Sequence, residues 1–199
     1  MLEHAQALSK GPWLEPGAGE GNLIRGVQDL LGTDSGPVWD ACELRPECES
    51  HLNALGVRNI SIGDYFVNGP PSEEEYAMII SNPPFSLAME FIRRSLESKT
   101  RFVVMLQRMN YIGSERRHPF MSTCPPDLYV LPNRPSFKAD GSTDSIEYAW
   151  FVWDKMTLGS PGKYTLLDLT PKEERKAEHE RIKNNGIFPV FPEDEEEAA

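Results

Sequence analysis

Apolar and polar positions along this chain fall into blocks of two periods. Short, nearly continuous apolar runs such as "YAMII" (76–80) and "RFVVML" (101–106) read as buried strands. "FSLAMEFIRRSLES" (85–98) instead places apolar residues at 85, 87, 88, 91, 92 and 96, close to a helical repeat. The first third repeats this alternation. "GPWLEPGAGEGNLIRGVQDLL" opens extended, breaks at Gly17, Gly19 and Gly21, then becomes helical. "PVWDACEL" (37–44) is a second strand, "RPECESHLNALG" (45–56) a helix ended by Gly56, and "VRNISIGDYF" (57–66) a third strand with its exit turn. "DLYVLP" (127–132) and "EYAWFVWD" (147–154) complete a set of seven strands.

Strands alternating with helices predict an α/β fold: a mostly parallel sheet with helices on both faces. The last two strands have no helix between them, which predicts an antiparallel hairpin at one edge. The pattern weakens after about 155, so one domain is expected over 1–155 and a charged extension over 156–199. In the extension, "YTLLDLTP" could add an edge strand. Thr170-Pro171-Lys172-Glu173 has capping-box spacing for an exposed helix to about Asn184, and "PEDEEEAA" reads as a disordered acidic tail.

Composition narrows the class. The 199 residues are 39% hydrophobic and 26% charged, as in ordinary soluble domains. No apolar run reaches the roughly 18 residues of a membrane span, and "MLEHAQALSK" lacks the basic start and apolar core of a signal peptide. Cys42, Cys48 and Cys124 form no CxxC pair and are odd in number, which points to a reducing, cytoplasmic compartment and to neither a zinc site nor a disulfide framework. The net charge of -11 is unevenly spread: residues 86–140 carry 9 basic and 5 acidic side chains. A local basic face can attract phosphates despite an acidic total.

Three acids and a glycine cluster suggest a ligand site. "EPGAGEG" (15–21) sets Glu15, Pro16, Gly17, Ala18 and Gly19 between strand and helix, where glycine permits close approach of a ligand to the backbone. The spacing is G-x-G-x-G, so the dinucleotide fingerprint is not met. Glu15 would repel a pyrophosphate but suit a zwitterionic or cationic ligand. Glu43, followed by Leu44, ends the second strand, where a carboxylate can accept from both hydroxyls of a ribose. Asp64 ends the third strand and can accept from an adenine amino group, with Tyr65 and Phe66 available to cover the ring. These acids end consecutive parallel strands, on the sheet edge where open α/β folds bind ligands.

"SNPPF" (81–85) ends the fourth strand on that edge. The side-chain carbonyl of Asn82 and the backbone carbonyl of Pro83 are two acceptors aimed at one amino group. Pro84 helps lock the turn, and Phe85 offers a flat face for stacking. The arrangement has the chemistry of a clamp for a conjugated amine.

"EPGAGEG", "CELRPE", "GDYF" and "SNPPF", in this order, resemble the S-adenosylmethionine-dependent amino-methyltransferases. The match is to the DNA adenine-N6 group with its Asn-Pro-Pro-Phe motif, small phage or prophage members in particular, over about residues 10–155. The resemblance implies a Rossmann-like seven-stranded methyltransferase fold with an antiparallel last strand and S-adenosyl-L-methionine as cofactor. It implies direct in-line methyl transfer to the N6 amine of adenine, with a duplex base flipped out to reach Phe85. Gly17, Gly19 and their neighbours would form the cofactor loop, Glu15 would approach the methionine moiety directly or through water, Glu43 would bind the ribose, and Asp64 the cofactor's adenine amino group. Asn82, Pro83, Pro84 and Phe85 would hold the acceptor. No metal is implied.

Arg108, Arg116, Arg117, Arg134 and Lys138, interleaved with Tyr111, Phe120 and Phe137, lie in two connections expected on the same edge. They suit phosphates and a stacked base, hence a nucleic-acid partner, DNA first. No sizeable recognition insert is present, so specificity would be relaxed or supplied by an oligomer or partner protein. Three alternatives stay open: an RNA guanine-N2 or adenine methyltransferase, a protein glutamine methyltransferase, and an inactive cofactor-binding protein.

Overall fold

Four consecutive buried residues, Trp13–Pro16, form the central strand β1 of the structure, a computed structural model. It describes residues 11–32, 36–133, 135 and 146–169, with a few positions between 171 and 181. The further strands are β2 (Trp39–Glu43), β3 (Asn59–Ile62), β4 (Tyr76–Ser81), β5 (Thr100–Arg108), β6 (Asp127–Val130), β7 (Tyr148–Asp154) and β8 (Tyr164–Leu166). The helices are α1 (Asn22–Leu31), α2 (Glu49–Ala54), α3 (Tyr65–Asn68), α4 (Ala88–Glu97) and α5 (His118–Thr123). The eight strands form one sheet in the order β3-β2-β1-β4-β5-β7-β6-β8.

β1 is central, paired in parallel on both edges with β2 in register Glu15↔Ala41 and with β4 in register Trp13↔Met78, and strands so placed are buried on both faces by the helices that connect them. Register fixes which side chains share a face. Trp13 and Trp39 are paired and meet edge-to-face at 5.4 Å. Glu15 follows on that face two residues after Trp13, and Glu43 two residues after Ala41.

The α/β architecture with a mostly parallel sheet agrees with the sequence reading, and two details differ. The sheet has eight strands, the seven expected and the possible edge strand of "YTLLDLTP", whose Tyr164–Leu166 pairs in parallel with β6. β7 is antiparallel to β5: the Met109 N–H bonds the Glu147 carbonyl at one end, and the Lys155 N–H bonds the Arg101 carbonyl at the other. β7 lies between β5 and β6, so the expected pairing of β6 with β7 is present, the Leu131 N–H bonding the Tyr148 carbonyl at 2.9 Å, but β8 takes the edge beyond β6. The connection after β5, for which no helix was expected, holds α5, where proline stands in the first turn. The helix expected from Thr170 to Asn184 lies largely outside the described residues, and the acidic tail lies wholly outside them.

The chain divides into two compact units, Met1–Met105 with Val152–Leu158, and Leu106–Phe151 with Gly159–Ala199. In the second, Tyr111 packs edge-on against Phe151 at 6.0 Å, and Asp127 Oδ1 accepts the Lys163 N–H. In the first, α4 buries Ala88, Phe91, Ile92 and Ser95. That unit also holds a fully buried carboxylate, Asp40. Arg58 reaches it through two nitrogens, at 3.0 and 2.9 Å, while the Asn59 amide donates at 3.1 Å and the Tyr76 hydroxyl at 2.9 Å. A buried charge is tolerated because its lone pairs are filled. These donors stand at the amino ends of β3 and β4, so the network fixes the end of the sheet away from the candidate site. Tyr76→Phe deletes one charged hydrogen bond and is expected to cost about 1.5–3 kcal/mol in urea unfolding; an unchanged midpoint would contradict this account.

Candidate functional site

The carboxyl ends of β1, β2, β3 and β4 are tied to one another, all within the first unit. Cys42 at the end of β2 accepts the Gly17 and Ala18 N–H groups, at 2.8 and 3.0 Å. The Glu43 carbonyl accepts the Gly63 N–H at 2.9 Å. The Ser81 hydroxyl donates to the Pro16 carbonyl at 2.6 Å in a buried bond. The expected residues on these four exits, Glu15 to Gly19, Glu43, Leu44, Asp64, Tyr65 and Asn82 to Phe85, are thereby brought to one edge of the sheet.

Glu15 lies inside β1, 3% exposed. The Ile24 N–H, in the first turn of α1, bonds its carboxyl, and Oε2 has no partner. Burial, with the Glu43 carboxylate adding to it, holds the Glu15 pKa well above the usual carboxylate range against that bond. A positive group would compensate the charge that burial penalises.

Gly17, Gly19 and Gly21 all have left-handed backbone, φ 70, 57 and 78. Their neighbours give them different roles. A Cβ on Gly21, the residue capping α1, would run into Leu55 and come within 3.1 Å of Leu52, so this glycine serves helix packing. A Cβ on Gly19 would lie 3.3 Å from the Arg45 guanidinium. The Gly19 N–H donates to Glu43 Oε2 at 2.6 Å. Glu43 Oε1 accepts from the Arg45 backbone N–H at 3.1 Å and from Arg45 Nε at 3.0 Å. Glu43 is thus locked beside the glycine loop, 6% exposed.

Asp64 caps the one-turn helix α3, its Oδ1 accepting the Phe66 N–H at 2.8 Å. Tyr65 is buried and stacks on Phe91 at 5.6 Å; of the two rings expected to cover a base, Phe66 is the accessible one. Leu44 is 67% exposed beside Glu43. Leu44 and Phe66 are apolar side chains left uncovered near two acids.

In the Asn-Pro-Pro-Phe exit, Pro83 is buried, while Asn82, Pro84 and Phe85 are half-buried. The Asn82 Oδ1 atom is buried and has no hydrogen-bond partner. An unfilled buried acceptor is unfavourable by itself and favourable once a donor arrives.

The second unit carries Arg108, Arg116 and Arg117. Arg116 is exposed. Arg117 donates to the Tyr111 carbonyl at 2.7 Å and lies over the Tyr111 ring at 4.2 Å, so it braces its own loop. Arg108 Nε approaches the Tyr148 hydroxyl at 3.5 Å. Arg134, Phe137 and Lys138 lie outside the described residues. Burial pushes the Cys42 thiol up to about 12, with Asp40 adding to it, so this cysteine is no nucleophile. Among the described residues no group of three or more His, Cys, Asp or Glu is placed to hold a metal ion, and no helix is long and apolar enough to cross a membrane.

Sequence reasoning missed two participants. Arg45 was absorbed into a helix segment, although a cation two residues after a strand-end acid is a readable signal. Phe91, 3.4 Å from where a Gly17 Cβ would stand, read only as helix core.

No protein-family model and no curated protein matches the chain. Solved structures do. A protein of Listeria monocytogenes, provisionally named a class I S-adenosylmethionine-dependent methyltransferase, superposes with a TM-score of 0.59 at 12% identity, over 91% of this chain and 67% of that one. The methyltransferase subunit of a type I restriction-modification system from Streptococcus thermophilus gives 0.59 at 10% identity, over 91% of this chain. This chain spans 51% of that subunit's length. The 23S rRNA methyltransferase ErmE gives 0.51 at 16% identity, over 92% and 74%. The fold is therefore the Rossmann-like fold of these methyltransferases.

Glu15 makes a prediction in which sign is decisive. Its folded pKa lies above its unfolded one, so between the two the folded chain binds more protons and stability falls as pH rises. Glu15→Gln imitates the protonated form. It is expected to stabilise the chain by about 1–3 kcal/mol at pH 8 and to lose that gain toward pH 4. Thermal melts of both proteins across this range check it; a gain independent of pH would contradict the assignment.

Proposed function

We propose that this chain transfers a methyl group from S-adenosylmethionine to the exocyclic N6 amine of adenine in DNA. The observation that carries the reading is the buried, unpartnered Asn82 Oδ1 at the head of Asn-Pro-Pro-Phe, on the edge that also holds Glu15 and Glu43. The domain responsible is 1–155, with 156–199 as its charged extension.

Two features fit the cofactor. Glu15 Oε2 is buried without a partner and suits the cationic end of the methionine moiety. The loop of Pro16, Gly17, Ala18 and Gly19, with left-handed backbone at both glycines, lies beside Glu43, which would take the ribose. Asp64 would accept from the cofactor's adenine amino group, with Leu44 and Phe66 against the ring and Tyr65 beside Phe66 at 5.9 Å. Bound S-adenosylmethionine supplies a sulfonium methyl already activated for displacement by an amine nitrogen.

The protein's own contribution is placement. Asn82 Oδ1 and the Pro83 carbonyl each accept an N–H of the acceptor amine. That orients its lone pair out of the ring plane, toward the methyl carbon. Phe85 stacks on the base, and Pro84 fixes the turn. The proton lost from nitrogen after transfer leaves through water, so no histidine base is required. Arg108, Arg116, Arg117, Arg134 and Lys138 with Phe137 would take the phosphates and a neighbouring base, and a second subunit or partner protein would sharpen sequence choice.

Incubation with methyl-labelled cofactor, followed by separation of DNA, RNA and protein, tests the reading. Label recovered as N6-methyladenine from DNA is expected. Label confined to RNA or protein would move the substrate, and cofactor binding with no label in any pool would mark an inactive binding protein. Asn82→Ala should lower transfer by about 100-fold or more while cofactor still binds; full activity in this variant would rule the amine clamp out.

A further inference from the structure

The Glu43 carboxylate is already occupied. A carboxylate offers about four acceptor positions, and three are filled here: Oε2 by the Gly19 N–H, Oε1 by the Arg45 N–H and by Arg45 Nε. A ribose diol that gives one hydrogen to each oxygen needs a position on Oε1 that Arg45 Nε holds. The guanidinium also fills the space that Gly19 leaves open, 3.3 Å from where a Cβ would stand. The close approach that glycine permits at this point is therefore made by the chain's own arginine.

The two Arg45 donors differ in how easily they leave. The backbone N–H is fixed by the exit of β2. The side chain is 34% exposed, and the exposed carboxylate of Glu47 stands near enough to act on its charge. An ion pair exposed to this degree is weak and can be exchanged.

We propose that Arg45 is a self-supplied plug in the ribose seat of the cofactor site, displaced from Glu43 and Gly19 when the cofactor binds. This inference rests on the cofactor reading above. It adds that the empty chain carries a built-in competitor, so that cofactor affinity is set partly by Arg45. The released guanidinium exchanges Glu43 for Glu47 and water, and Glu43 exchanges Nε for a ribose hydroxyl.

Titration calorimetry with S-adenosylhomocysteine compares the wild-type chain with Arg45→Ala and Arg45→Lys. Loss of the plug is expected to tighten binding about 5-fold in Arg45→Ala, the scale of one partly exposed ion pair, with Arg45→Lys between the two. Equal or weaker binding in Arg45→Ala would overturn the proposal, because the arginine would then be idle or a ligand contact. Nitrogen-15 NMR of the wild-type chain gives a readout independent of the variants' folding. The Arg45 Nε–H signal, assigned through its own backbone, should move to the position of a solvated arginine at saturation. A signal that stays in place overturns the proposal too. If neither wild type nor variant binds S-adenosylhomocysteine, the cofactor reading itself fails, and the plug with it.

Discussion

The site depends on hydrogen bonds that cross from one strand exit to the next. Cys42 holds the glycine loop after β1, Glu43 holds Gly63 after β3, and Ser81 holds Pro16. Each joins groups that would otherwise face a buried sheet edge unpaired, and each therefore sets where the following residue begins. Glu15, Glu43, Asp64 and Asn82 stand together because the exits are bound together.

Buried acceptors on and beside the strands of the first unit are of two kinds. At the amino ends, Asp40 is fully buried with every approach filled by Arg58, Asn59 and Tyr76. At the carboxyl ends, Glu15 Oε2 and Asn82 Oδ1 are buried without partners. A buried acceptor left empty costs about 1–3 kcal/mol, so two of them on one edge are unfavourable for folding alone. Ligand donors would remove that cost. That difference makes Asp40 structural and the other two candidates for binding, although all three place buried oxygens at or beside strand ends.

Much of this was readable in the chain. β1, β4 and β5 show as short apolar runs, and the glycine spacing fixes where β1 gives way to α1, because three left-handed positions at every second residue favour glycine. The positions of Glu43, Asp64 and Asn82 followed from parallel strands ending in one place. The edge strand β8 falls in the "YTLLDLTP" segment read as a possible strand. Two things were not readable. The place of β7 between β5 and β6 is a long-range pairing with no local signal. The division of labour between Tyr65 and Phe66 turns on the packing of Tyr65 against Phe91, a contact 26 positions away that their adjacency in sequence hides. Arg45 is the intermediate case: its proximity to Glu43 is local, but its approach to Gly19 depends on the fold.

The most direct measurement is a crystal structure of the chain with S-adenosylhomocysteine. The account predicts the ligand on the carboxyl ends of β1, β2 and β3, its ribose on Glu43 and its amino acid end at Glu15, with Asn82 Oδ1 left facing the space beside the sulfur. A ligand lodged elsewhere, or Asn82 Oδ1 turned onto a donor of the protein's own, would contradict it.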